Sequence, residues 1–223
     1  MKKTYQNWWL GDGGDQGMED SHLSAWQNVI DIIDNQDIYE KTVLDFGCNQ
    51  GGFLRALYKR IPFSHGYGLD IAEAAIKTAN SRVGNLPIVY KHTDNPGDFG
   101  VSVDTVISTS VLYLIENLED HFSSIADVLS SGGVYYASFA DQSKNPSLEY
   151  MRSKIDQYGA TKMQNKTLDE VVDALVKCGF TVELRKEHTG HFDVTNYKEF
   201  YLSVNDYIQS CEQSYLIKAA KKG

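Results

Sequence analysis

An apolar run ends in an acid, turns on glycines and opens directly into an amphipathic helix at Val43-Leu44-Asp45-Phe46-Gly47-Cys48-Asn49-Gln50-Gly51-Gly52-Phe53-Leu54. This stretch constrains the fold more than any other in the chain. A strand, a glycine-rich turn and a helix in succession build a nucleotide-sized crevice at the end of a parallel sheet. Asp45 falls at the C-terminal edge of the strand, before the first glycine, where it faces the ligand. An acid there suits a ligand with a cationic amino group better than one with a pyrophosphate.

The alternation continues downstream. Thr42–Phe46 reads as the first strand and Gly52–Arg60 as its crossover helix, ended by Pro62. Residues 66–71 read as a strand, 72–82 as a helix and 86–92 as a third strand. A turn at Asn95-Pro96-Gly97-Asp98 leads to a strand at 104–108. A helix over 118–129 stops at Ser130-Ser131-Gly132-Gly133, before a fifth strand at 134–139. Further on, the pattern predicts an inserted helix at 146–158 and a Thr167-capped helix through Cys178. A strand at 181–187, a helix at 197–209 and a final strand at 215–220 follow. Upstream, residues 1–20 read as irregular. Ser21 is the expected cap of a helix to about residue 35, with Leu23, Trp26, Val29, Ile30 and Ile33 on one face. The expected fold class is α/β: a Rossmann-like, doubly wound, mostly parallel sheet with an antiparallel C-terminal strand, the late strand pair adding an antiparallel edge.

The chain has 223 residues, the size of one α/β domain. Its formal charge of -9 repels phosphate backbones, so nucleic acid is a poor partner. Three cysteines (Cys48, Cys178 and Cys211) without a CxxC read as free thiols in a reducing compartment. No apolar signal-peptide core or long apolar span follows Met1-Lys2-Lys3, so the expected localisation is cytoplasmic, without a membrane.

Five elements follow one another along the chain: Asp45 to Gly51, Gly68-Leu69-Asp70-Ile71, Lys91-His92-Thr93-Asp94-Asn95, Val103-Asp104-Thr105-Val106-Ile107-Ser108, and the Gly132-Gly133 turn before an apolar strand. In this order, over roughly residues 42–139, the chain resembles the class I S-adenosylmethionine-dependent methyltransferases. One departure stands out: Asn49 replaces the middle glycine of the first motif, and Asn tolerates positive φ better than most residues. The resemblance implies S-adenosylmethionine as cofactor and a site built from Asp45, Phe46, Gly47, Asn49, Gly51, Asp70, Ile71, Thr93, Asp94, Asn95, Ser108 and Thr109. Asp45 would meet the methionine ammonium, and the helix N-terminus at Gly51–Gly52 its carboxylate. Asp70 would accept from the ribose diol, and Asp94 from the adenine amine. It also implies one methyltransferase domain over 1–223: an N-terminal arm and helix at 1–40, a cofactor-binding core at 41–140, and substrate-side insertions at 141–165 and 188–213.

Methyl transfer needs a general base only when the acceptor must lose a proton. No catalytic residue is therefore marked, and Tyr113 and His22 stand as candidates to orient or deprotonate an acceptor. Cys48 reads as a small filler of the turn. Trp8 and Trp9, beside the flexible Gly11 to Gly17 stretch, are either a lid over the site or packing against the sheet. His188, His191 and Asp193 have only a superficial likeness to metal ligands, and no metal is expected. Phe192, Tyr197, Phe200, Tyr201 and Tyr207 are candidates to roof the pocket. A small-molecule acceptor is the first expectation and a protein substrate stays open. A nicotinamide enzyme and a non-catalytic binding subunit are the alternatives, although Gly47 to Gly52 lacks the Gly-x-Gly-x-x-Gly of the former.

Overall fold

The computed structural model describes residues 5–187 and 190–222. Seven strands join in one sheet: β1 (Thr42–Phe46), β2 (His65–Asp70), β3 (Ile88–His92), β4 (Val103–Ser108), β5 (Leu129–Ala140), β6 (Phe180–Lys186) and β7 (Ser214–Lys221). Their order is β3-β2-β1-β4-β5-β7-β6. The first five run parallel, and β7 pairs antiparallel with both β5 and β6. The fold class is as expected: β7 runs antiparallel between β5 and β6, and the β7–β6 pair forms that edge of the sheet.

Side chains alternate across the sheet, so each central strand feeds two cores. Val43, Ile107, Tyr136 and Leu216 pack on one face with α1 (Gly14–Ile32), α2 (Gly52–Arg60) and α3 (Glu73–Arg82). Their neighbours Leu44, Val106, Tyr135 and Ile217 pack on the other with α4 (Leu118–Val128) and α6 (Leu168–Lys177). The capping box of Thr167 and Glu170 starts α6 as the sequence predicts. Lys218 of β7 pairs with Asp34 and Asp37, and Arg185 of β6 forks onto Asp34, tying the late strands to the α1–β1 connection.

Three boundaries differ from expectation. Helix α1 begins at Gly14 rather than at Ser21, so only the first part of 1–20 is irregular among the described residues. Gly13 turns the chain through φ 77, and the buried Asp15 accepts the Trp8 and Trp9 amides, which fixes the helix entry. The Ser130–Gly133 stretch belongs to β5, where a register shift between Val103 and Thr105 absorbs the turn residues as a bulge. The single helix expected at 197–209 is a 3-10 turn (Tyr197–Glu199) followed by α7 (Val204–Glu212). Ser203 restarts the helix by accepting the Asp206 N–H. The inserted helix α5 spans Leu148–Tyr158.

Candidate active site

A cleft of about 270 Å³ opens at the C-terminal ends of β1, β2 and β4. Its floor is the turn after β1. Gly47 holds φ 79 there, and a Cβ on it would meet a Val111 methyl at 2.6 Å. Asn49 takes φ 45, the left-handed conformation that its substitution for glycine requires. The Asp70 Oδ2 accepts the Asn49 N–H and its Oδ1 the Ala72 N–H, each at 2.8 Å. Both carboxylate oxygens are thereby oriented, and each keeps a second lone pair for a ligand. Burial pushes the Asp70 acid up while the amides pull it down.

The electrostatics of the cleft are lopsided. Asp45 is fully buried, and neither carboxylate oxygen has a hydrogen-bond partner. Burial first, and Asp70 second, push its acid up to about 8. Glu19 of α1 reaches the same cleft, pairing with Arg55 at 3.1 Å and Arg82 at 3.6 Å, yet its Oε2 has no partner. The Asn49 Oδ1 is likewise buried and unpartnered. Four acceptor oxygens from three residues thus line one cavity without donors. A buried acceptor left alone costs free energy, so such a cluster calls for a cation with several N–H groups.

Eight of the twelve sequence-derived cofactor residues line this cleft: Asp45, Phe46, Gly47, Asn49, Asp70, Ile71, Asp94 and Thr109. Gly51, Thr93, Asn95 and Ser108 do not. Gly51 faces Tyr90, whose ring would lie 2.4 Å from an added Cβ, and its N–H bonds the Cys48 carbonyl instead of remaining open for an anion. Glu19 and Trp26 lie against Gly52. Thr93 and Asn95 are tied up with Asp98 at the turn after β3. Ser108 is buried within β4. Cys48 is buried and its thiol is pushed well up, which suits a filler. Glu19 escaped the sequence reading because it lies on the turn of α1 that was expected to be irregular.

A second cavity, about 310 Å³, lies beyond the first. Trp8, Met18, His22, Ser110 and Tyr113 line both, so the two share a wall. Ser110 holds φ 56 there, its N–H donating to Ser138 Oγ at 2.8 Å. The arm before α1 contributes Trp8 to the walls of both cavities. Tyr5 bridges to Ala72 at the β2–α3 junction, and Trp9 bridges to Gly159 after α5. Between them the Trp8 indole donates to Thr161 Oγ1 at 3.0 Å. Of the expected roof aromatics, Phe200, Tyr201 and Tyr207 line the second cavity, whereas Phe192 and Tyr197 do not. Asp193 accepts from Thr195, His191 is exposed, and His188 lies outside the described residues. No metal-ligating cluster occurs among the described residues.

A sheet of this order has the methyltransferase Rossmann-like topology, and comparison with known proteins agrees. The methyltransferase domain family matches residues 44–135. A trans-aconitate 2-methyltransferase of Acidovorax sp. (strain JS42) is 27% identical over 117 residues, covering 52% of this chain and 44% of that protein. The match thus spans under half the length of the curated relative. Among solved structures, a chain of the complex between the Haloferax volcanii Trm112 methyltransferase activator and the protein solved with it superposes with a TM-score of 0.74 at 20% identity, over 94% of both chains. An S-adenosylmethionine-dependent methyltransferase from Mesorhizobium loti superposes at 0.64 with 19% identity, over 90% of this chain and 98% of the other. Residues 44–135 thus carry a match to the methyltransferase domain family, and the sheet built around them has the methyltransferase Rossmann-like fold.

Proposed function

We propose that the chain transfers a methyl group from S-adenosylmethionine to a small-molecule acceptor. The observation that carries the reading is the set of unpartnered oxygens of Glu19, Asp45 and Asn49 in one cleft. They match an ammonium and repel a pyrophosphate, which favours an adenosyl sulfonium over a nicotinamide dinucleotide. Asp45, Glu19 and Asn49 would hold the methionine ammonium, Asp70 the ribose hydroxyls, and Asp94 the adenine amine. When bound, this cofactor supplies a methyl already activated by a positive sulfur.

The protein's part is then to align, to exclude water and to manage a proton. The Trp8 arm and Tyr113 cover the shared wall where donor and acceptor would meet. His22 donates its Nδ1–H to the Met18 carbonyl at 2.6 Å, which leaves Nε2 with a lone pair for an acceptor proton. The Tyr113 phenol is pushed up by burial, so it acts as a neutral donor and not as a base.

The walls of both cavities carry no Lys or Arg among the described residues. A tricarboxylate such as the acceptor named for the Acidovorax relative would enter an acid-lined site with no cation to meet it. The acceptor is therefore neutral or cationic. Thermal melting with S-adenosylmethionine, S-adenosylhomocysteine and NAD tests the cofactor: the first two should raise the midpoint, and a shift with NAD alone overturns the assignment. Methyl transfer from a labelled donor to a metabolite panel tests the activity.

A further inference from the structure

The second cavity contains a feature that the donor site does not use. Trp8, Trp9, Phe139, Phe200, Tyr201 and Tyr207 give it aromatic walls. Its polar lining is almost wholly engaged internally: Gln142 donates to Ser210 at 2.6 Å, Tyr201 shares a hydrogen bond with Ser210 at 2.8 Å, and Ser214 donates to the Ser210 carbonyl. Glu187 is the exception. It follows β6, lines this cavity and not the first, and its Oε1 is buried without a partner. The other titratable side chains lining the cavity are His22, Tyr113, Tyr201, Tyr207 and Cys211, and none is a Lys or Arg.

We infer that the second cavity is the acceptor pocket and that it takes an apolar or aromatic compound bearing an amine, whose ammonium pairs with Glu187. This rests on the first cleft being the donor site. An unpaired carboxylate in an apolar cavity is costly, and a ligand ammonium removes that cost while gaining a charge-assisted hydrogen bond. Burial pushes the Glu187 acid up to about 7, which is the behaviour of a carboxyl lacking its counter-charge. The aromatic rings around it attract a cation further through their faces. Glu187 is absent from the wall shared with the donor cleft, so it anchors the acceptor away from that wall and turns the rest of the molecule toward it.

The test is binding of three matched probes, 2-phenylethylamine, 2-phenylethanol and 3-phenylpropanoate, followed by ligand-observed NMR with and without saturating S-adenosylhomocysteine. The wild-type chain should bind the amine at least about tenfold more tightly than the alcohol or the acid. Glu187→Gln should erase that preference while leaving alcohol binding and the S-adenosylhomocysteine melting shift within about twofold. Glu187→Met, which keeps the length without a carboxyl, gives the same readout if the Gln variant fails to fold. An amine bound no better than the alcohol, or a preference that survives both substitutions, overturns the inference. A retained amine preference in a protein that ignores S-adenosylhomocysteine would instead overturn the donor-site reading alone.

Discussion

The Asp70 carboxylate, at the end of β2, accepts the Asn49 backbone N–H at 2.8 Å and so holds the left-handed turn that follows β1. Its second oxygen takes the Ala72 N–H at the entry to α3. One acid therefore shapes the cleft floor and faces the ligand. Asp70→Ala orphans two amides and should lower stability by about 2–4 kcal/mol. It should also abolish most of the S-adenosylmethionine melting shift. Urea unfolding and thermal melting measure the two effects, and a full cofactor shift in the variant refutes the ribose assignment.

Asp45 sets a pH dependence whose sign follows from its raised acid. The folded chain holds a proton on Asp45 up to about pH 8, whereas the unfolded chain releases it near the ordinary aspartate value of 3.8. The folded state binds more protons in that window, so the contribution of Asp45 to stability falls as pH rises from about 4 to about 8. Asp45→Asn removes this penalty and should raise the melting midpoint of the ligand-free protein at pH 8, with little change at pH 4. The same variant should weaken S-adenosylmethionine by at least about tenfold. In the wild type, cofactor binding at neutral pH should release a proton, seen as a buffer-dependent enthalpy in calorimetry. A ligand-free variant no more stable at pH 8 counts against the buried, unpaired carboxyl.

The arm before α1 is anchored beside the cleft by the Trp8 indole and the bridges at Tyr5 and Trp9, and we propose that it closes the cleft. Removing residues 1–12 should therefore raise the cofactor dissociation constant by about tenfold. A cut at residue 20 would be a poorer test, because it also removes Asp15 and the Glu19 that faces the cleft. Unchanged binding in the shorter truncation rules out a closing role for the arm.

Local patterns made the sheet and the first turn legible. Val43 and Leu44 alternate faces, and Asp45 and Gly47 announce the turn within a few residues of each other. Asn49 in place of glycine was readable because its tolerance of positive φ is a property of the residue itself. What stayed hidden depends on contacts far apart in sequence. Nothing near Gly51 signals that Tyr90 will press against it, and nothing near Glu19 signals that it will join Asp45. Glycines and acids ahead of α1 look like loop, and only the Asp15 contacts with Trp8 and Trp9 turn them into a helix start. Lys218 ties β7 to the α1–β1 connection through Asp34 and Asp37, a pairing that no periodicity in either segment reveals.

His22 and Tyr113 both border the wall shared by the cavities, but their chemistry separates them. The Met18 carbonyl can only accept, so the proton of a neutral His22 ring lies on Nδ1 and the Nε2 lone pair is left over. Tyr113 keeps its proton because burial disfavours the phenolate. For an acceptor that loses a proton, His22→Ala should lower kcat by about 100-fold, the usual contribution of a general base. Added imidazole should restore part of the rate in that variant, since a small base can fill the vacated volume. Tyr113→Phe should change KM more than kcat, because it removes a hydrogen-bond donor and no base. If imidazole fails to rescue and kcat stays near wild type without His22, the acceptor reacts without a base from this wall, and alignment together with exclusion of water carries the reaction.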